Sequence, residues 1–595
     1  MKLRLVVFAL VIVGWTGGLG ARLYELQVDR HLEFSVKAAN QQRLVVEIGA
    51  LRGTIYDARG RELAVSVEVE SVWADPKEVD DLEATAEILA EILGLDTGKL
   101  AERLDSDSGF EWVARKVDPE ASAAVRALDL DGIHFQYESR RFYPMGSSAA
   151  HVLGFVGMDG GGLAGIEARY QKVVAGSSAN RMLLRDANQR GLAVPEYPIA
   201  EPTPGSDLYL TIDSSLQYLA ETELRRAVEE TRADGGVVVL LDPADSAVLA
   251  MASMPTFDPN HFARFTSESW HNRAVEEVFE PGSTFKMITA AAAFESLMIS
   301  PDDLFYCEEG AIFVGRTRIR DHKAFGELTF REVIEKSSNV GVIKAALQLG
   351  QERLYSTIGN FGFGRRTGID LPGETGGIVN PLSAWRENSK AYVSFGHEIS
   401  VTPIQMVNAF AALANGGTLN QPFVARAIGR GEEIEPLPRN HSPTRAVDAH
   451  SALTLERVLE GVVENGTGRK AQVPGYRVAG KTGTAEKVIP GVGYSPTGRM
   501  ASFIGFVPAR EPRLVGLVML DQPRTQTHGG QVAAPVFQAI MTKALQYMGV
   551  APDPEVWPPR DEPEPVPELE PVIAAPLLAS GTLEPGELVP SGADT

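Results

Sequence analysis

Residues 279–290 read FEPGSTFKMITA. Pro281 and Gly282 break the chain, Ser283 follows, and an apolar run begins that includes Ala290, Ala291, Ala292 and Ala293. That is how a buried helix starts. Three residues after the serine stands Lys286. A cation there opposes the positive N-terminal end of the helix dipole, and a capping box would put Glu or Gln at that position. The lysine thus conflicts with the local rules. Ser283 and Lys286, at i and i+3, share a helix face, and the spacing predicts a hydrogen bond between the serine oxygen and the lysine nitrogen. Burial lowers a lysine pKa, and a neutral amine can take the serine proton and make a nucleophile. The plain alternative is a serine that only caps the helix and a lysine that reaches out to solvent. Alone, an SxxK is too short to choose between them.

Two further stretches weigh in. Ser337-Ser338-Asn339 forms an SxN, and Lys481-Thr482-Gly483 forms a KTG where a strand begins. Each is weak by itself, since Ser178-Ala179-Asn180 is also an SxN. The order SxxK, SxN, KTG inside one predicted α/β domain is what carries the signal. Chemistry then suggests roles. Lys481, with the hydroxyls of Thr482 and Thr484, is the expected cation for a substrate's terminal carboxylate. Gly483, lacking a side chain, is expected to let a substrate strand lie close along this edge. Ser337 is placed to relay a proton between the lysines and the leaving group, and Asn339 to hold a substrate amide and orient Lys286. The backbone N–H groups of Ser283 and Thr484 are candidates for an oxyanion hole.

The rest of the chain fits a secreted or anchored enzyme. It has 595 residues, 44% hydrophobic and 23% charged, enough for several folded domains. A net charge of −22 argues against nucleic acid as a partner. The single cysteine, Cys307, excludes an intramolecular disulfide and a multi-cysteine metal site. No HExxH, Walker loop or GxSxG elbow is present. Lys2 and Arg4 precede an uncharged stretch, Leu5 to Ala21, which reads as a transmembrane anchor with the positive end inside. A cleaved signal peptide is the rival reading.

The predicted organisation is an anchor over 1–22, a mixed α+β module over 23–205, an α/β domain over 206–550 and a Pro/Glu-rich disordered tail over 551–595. In the third part, a hairpin near 235–254, a helical middle, three late strands and a closing helix predict one sheet with strands drawn from both ends of the domain.

With these motifs in order, the chain resembles a class B penicillin-binding protein of the cell-division type. Further segments are similar to that family: LRGTIYDARGRELA, RRFYPMGSSAAHVLGFVG and GLAGIEARY to its non-catalytic pedestal, and NRAVEEVFEPGSTFK, FGFGRRTGIDLPGE and SVTPIQM to its transpeptidase domain. The resemblance implies a central five-stranded antiparallel sheet flanked by helices, an all-helical part, an N-terminal α+β pedestal and one transmembrane helix. It implies peptidoglycan D,D-transpeptidation: Ser283 attacks a stem peptide ending in D-Ala-D-Ala, D-alanine leaves, and an amine of a neighbouring stem resolves the acyl-enzyme. It implies acylation by β-lactams, no metal or organic cofactor, a SEDS-type polymerase and other division proteins as membrane partners, and a catalytic domain outside the plasma membrane. The alternatives are an elongation-type transpeptidase, or a D,D-carboxypeptidase or β-lactam sensor on the same fold. Hydrolysis needs a base for water, and Glu486 is the one nearby candidate.

Overall fold

The computed structural model describes residues 1–185, 191–193, 201–431, 433–489, 493–554 and 556. The tail expected to be disordered lies almost wholly outside these residues. Helix α1, Lys2–Tyr24, buries none of its side chains and carries an apolar window of mean hydropathy 1.9. Its 23 residues span about 34 Å at 1.5 Å per residue, enough for a bilayer core. The helix runs past the predicted Leu5–Ala21 at both ends.

The pedestal is built on the long strand Glu62–Ala74, which pairs antiparallel with Ile133–Phe142 and Glu111–Ala114. A turn at Arg59-Gly60 leads into this strand, and the helix Leu82–Leu93 follows it. Asp81 caps that helix and Gly94 ends it in a left-handed conformation, as the sequence signals direct. The segments similar to the family's pedestal converge on one buried carboxylate. Glu167 of GLAGIEARY is fully buried, Arg141 of RRFYP donates to it at 2.6 Å, and Arg52 of LRGTIYD donates at 3.2 Å. A buried charge persists only when paired in this way.

The pedestal sheet does not stop at the predicted boundary. Ile55–Tyr56 pairs in parallel with Asp207–Leu210, which pairs in turn with Ala425–Arg430 from the middle of the second half of the chain. Asp370 adds a second tie: it accepts from Tyr170 Oη at 2.9 Å and from the N–H groups of Val424 and Ala425.

The central sheet contains β1 (Gly235–Leu241), β2 (Val248–Met254), β3 (Ala479–Ile489), β4 (Gly493–Val507) and β5 (Leu514–Asp521), in the order β2-β1-β5-β4-β3, all antiparallel. This is the five-stranded sheet with strands from both ends of the domain. Its middle strands are buried on both faces, and their side chains alternate between two cores. Val237, Val239 and Leu241 join the helical middle of the chain, while Val238 and Leu240 pack with α2 (Ser214–Thr231) and the closing helix. The helical middle holds α3 (Lys286–Glu295), α4 (Asn339–Leu349), α5 (Pro403–Ala414) and α6 (Ala449–Glu464). Pro403 to Leu413 of α5 are all buried, so its apolar residues run all round, and a Thr402/Gln405 capping box with Pro403 fixes where it starts. The closing helix α7, Gly529–Met548, covers the opposite face.

Candidate active site

Ser283 lies in a tight 3-10 turn, Gly282–Phe285, and Lys286 is the first residue of α3. Thr284, not Ser283, secures the turn: its Oγ1 donates to the Pro281 carbonyl at 2.7 Å. Ser283 makes no side-chain cap, and among the described residues its hydroxyl has no hydrogen-bond partner. The reading of Ser283 as a helix cap therefore fails. The turn is pressed from outside as well. The Gly282 N–H donates to the Gly396 carbonyl at 3.2 Å, and a Cβ on Gly396, at φ +83°, would sit 2.3 Å from the Gly282 oxygen.

Lys286 is fully buried. Its Nζ donates to Ser337 O at 2.6 Å, Asn339 Oδ1 at 2.8 Å and Ser337 Oγ at 3.1 Å. The hydrogen bond predicted from Ser283 to Lys286 is not among these; in the free protein the amine is held by the SxN motif instead. Burial pushes the Lys286 pKa down to about 7, against a smaller opposing pull from the Asp321 carboxylate. Ser337 is the junction of the site, because Lys481 Nζ also donates to its Oγ, at 3.0 Å. Ser337 holds this post in a left-handed backbone conformation, φ +59°, which a non-glycine residue adopts only at a cost.

Lys481 differs from its expected role. It is fully buried, its amine faces Ser337 and the Thr482 carbonyl, and burial together with the Lys286 charge drives its pKa well below the ordinary value. Its amine is bonded to the Ser337 hydroxyl and is not an exposed cation. Two amines sharing one hydroxyl cannot both carry a proton cheaply. The Thr482 hydroxyl is 2.7 Å from that of Thr467, and Thr484 Oγ1 accepts from the Gly529 N–H at the start of α7 at 3.1 Å. Gly483 is also explained differently from the expectation. A Cβ there would lie 2.3 Å from Ser502 Oγ and 2.9 Å from Thr284 Cγ2. The missing side chain lets β3 pack against the Ser283 turn; it does not open space for a substrate. β3 is nonetheless an edge strand, so its outer backbone row is left for another partner.

Two sets of groups escaped the sequence reading. Asp321, on the loop after the short strand Thr317–Arg320, accepts from Ser338 Oγ at 2.6 Å, from Val340 N at 3.2 Å and from the Asn339 N–H. It fixes the start of α4, which Ser338 caps through Gly341 N. Glu280 accepts from Tyr494 Oη at 3.0 Å and Glu398 N at 3.1 Å, with His397 Nδ1 at 3.0 Å. This carboxylate ties the start of β4 to the residues just before Ser283. Neither contact has a local sequence signal, because each joins segments far apart in the chain. Glu486, the candidate base for water, is an exposed residue paired with Arg499 at 3.2 Å.

Residues 236–542 match the penicillin binding protein transpeptidase domain, and residues 47–210 match the penicillin-binding protein dimerisation domain. The chain belongs to the penicillin-binding transpeptidases. Stage V sporulation protein D of Bacillus subtilis is 37% identical over 516 residues, covering 84% of this chain and 79% of that protein. Peptidoglycan D,D-transpeptidase FtsI of Escherichia coli is 34% identical over 528 residues, covering 87% of each chain. Penicillin binding protein 3 of Mycobacterium tuberculosis, complexed with aztreonam, superposes with a TM-score of 0.68 at 29% identity, over 86% of this chain and 99% of that one. Family membership and the apolar α1 together describe a membrane-anchored transpeptidase.

Proposed function

We propose that this protein cross-links peptidoglycan stem peptides through an acyl-enzyme on Ser283. The observation that carries the reading is the unpartnered Ser283 hydroxyl in the turn that opens onto Lys286, a buried amine whose pKa lies near 7. Neutral Lys286 takes the Ser283 proton as Oγ attacks the carbonyl carbon of the penultimate D-alanine. The developing oxyanion is received by backbone N–H groups of Ser283 and Thr484. Ser337, bonded to both lysines, passes a proton to the departing D-alanine amine. Asn339 holds Lys286 in place and receives the substrate's amide. The Thr482 and Thr484 hydroxyls receive the terminal carboxylate. A β-lactam presents its strained amide to the same serine and stays attached.

The anchor places the catalytic domain outside the plasma membrane, following the positive-inside tendency of Lys2 and Arg4. Glycan strands come from a SEDS-type polymerase contacted through anchor and pedestal. Resemblance to division enzymes supports a septal role, with domain limits near 22, 205 and 550. Complementation of a strain depleted of its division transpeptidase tests the septal role: restored septa support it, and rescue only of rod shape in an elongation mutant contradicts it.

Transfer is separated from hydrolysis by following the acyl-enzyme in water and with an added amine. Slow decay in water and rapid decay with amine are expected. Rapid turnover in water alone would favour a carboxypeptidase. The exposed, arginine-paired Glu486 gives no support to that outcome.

A further inference from the structure

Next to the KTG strand, a cleft of about 580 Å³ is lined by His322, Lys323, Lys336, Thr467, Arg469 and Lys470. So many cations in one cleft stand out in a chain of net charge −22. Lys336 is neutralised by Glu332 at 2.7 Å. Lys323 and Lys470 are exposed and have no ion-pair partner among the described residues. The cleft runs between the two motifs. Lys336 precedes Ser337 on one wall, and on the other Thr467 bonds Thr482 at 2.7 Å.

We propose that this cleft is the acceptor subsite and that it takes an amine-bearing peptide with a free carboxylate. The inference rests on the transpeptidase reading above. The leaving D-alanine carries the carboxylate received at Thr482 and Thr484, so the leaving group lies on the side of Thr482 that faces the cleft. In transfer, the acceptor nitrogen attacks the ester carbon of acyl-Ser283. The C–N bond forms, the C–Oγ bond breaks, the incoming amine gives up a proton to the Ser337 relay, and Lys286 returns one to Oγ. This is acylation in reverse with a different amine, so the acceptor enters where the leaving amine departed. A peptide arriving there meets Lys323, Arg469 and Lys470. Carboxylates pair well with such cations, and a cleft of one sign concentrates the opposite charge. Lys481 cannot serve, because it is buried against Ser337.

The test uses the full chain in detergent with a D-alanyl thioester peptide as donor. The acceptors are two amino peptides that differ only in one carboxylate, free in the first and amidated in the second. The measured quantity is the acceptor concentration at which half of the acyl-enzyme goes to transfer instead of hydrolysis. The acid acceptor is expected to half-saturate at a concentration about tenfold lower. The preference should shrink in Lys323→Gln/Lys470→Gln and vanish or invert in Lys323→Glu/Lys470→Glu. Equal use of both acceptors by the native protein, or a preference unmoved in both variants, overturns the subsite and leaves the transpeptidase reading standing. Failure of the native protein to form any acyl-enzyme overturns that reading, and the subsite with it.

Discussion

At the scale of single residues, the site turns on how two buried amines share one hydroxyl. Lys286 must be neutral to accept a proton, and its pKa is about 7. Acylation by a penicillin should therefore rise with pH through about 7 and level off above it, read from second-order rate constants. A rate independent of pH between 6 and 9 would argue against Lys286 as the base. Stability follows the same sign. The folded pKa lies below the ordinary 10.5, so between about 7 and 10.5 the unfolded chain binds the extra proton. Native stability should accordingly rise with pH across that window. Lys286→Ala should slow acylation by on the order of 10³-fold. Ser337 offers a finer test. Both Ser337→Ala and Ser337→Gly lose the shared hydroxyl, but only glycine relieves the φ of +59°. The glycine variant should be the more stable of the two by about 1 kcal/mol in denaturant titrations. These residues were legible in the sequence because they fall in short strings whose order is informative. Asp321 and Glu280 were not, because their contacts cross long stretches of chain. Lys481 was legible as a site residue but not as a buried one, since burial is decided by what packs over it.

Among the elements, β3 and the Ser283 turn form one packed unit. The close approach needs Gly483 on the strand and Gly396 on the facing loop. Gly396→Ala would force a Cβ to 2.3 Å from the Gly282 oxygen, and the turn that presents Ser283 must move. Labelling by fluorescent penicillin should fall at least about 100-fold, because displacements near 1 Å at a reacting group cost that much. Unchanged labelling would mean that the turn tolerates the shift. The strands and helices of this region followed from alternation, capping residues and apolar runs. The role of Gly483 did not. Its direction depends on the pleat of β3 and on which side carries Thr284 and Ser502, and a linear string does not contain that.

Across the whole molecule, the pedestal and the catalytic half share one seven-stranded sheet. The predicted boundary near 206 marks a change of composition and not a break in hydrogen bonding, because strand pairing between distant segments leaves no local trace. The pedestal's own keystone is Glu167 with Arg52 and Arg141. Glu167→Ala leaves two buried guanidinium groups without their partner and should cost about 3–5 kcal/mol in thermal or denaturant unfolding. Since Glu167 lies outside the serine site, molecules that remain folded should still label with penicillin.

The central claim is that Ser283 is the nucleophile. The direct measurement is to treat the protein with a penicillin, digest it and map the added mass by mass spectrometry. The account predicts one adduct, on Ser283, absent in Ser283→Ala even where circular dichroism shows that variant to be folded. An adduct on another residue, or one that survives the substitution, would contradict it.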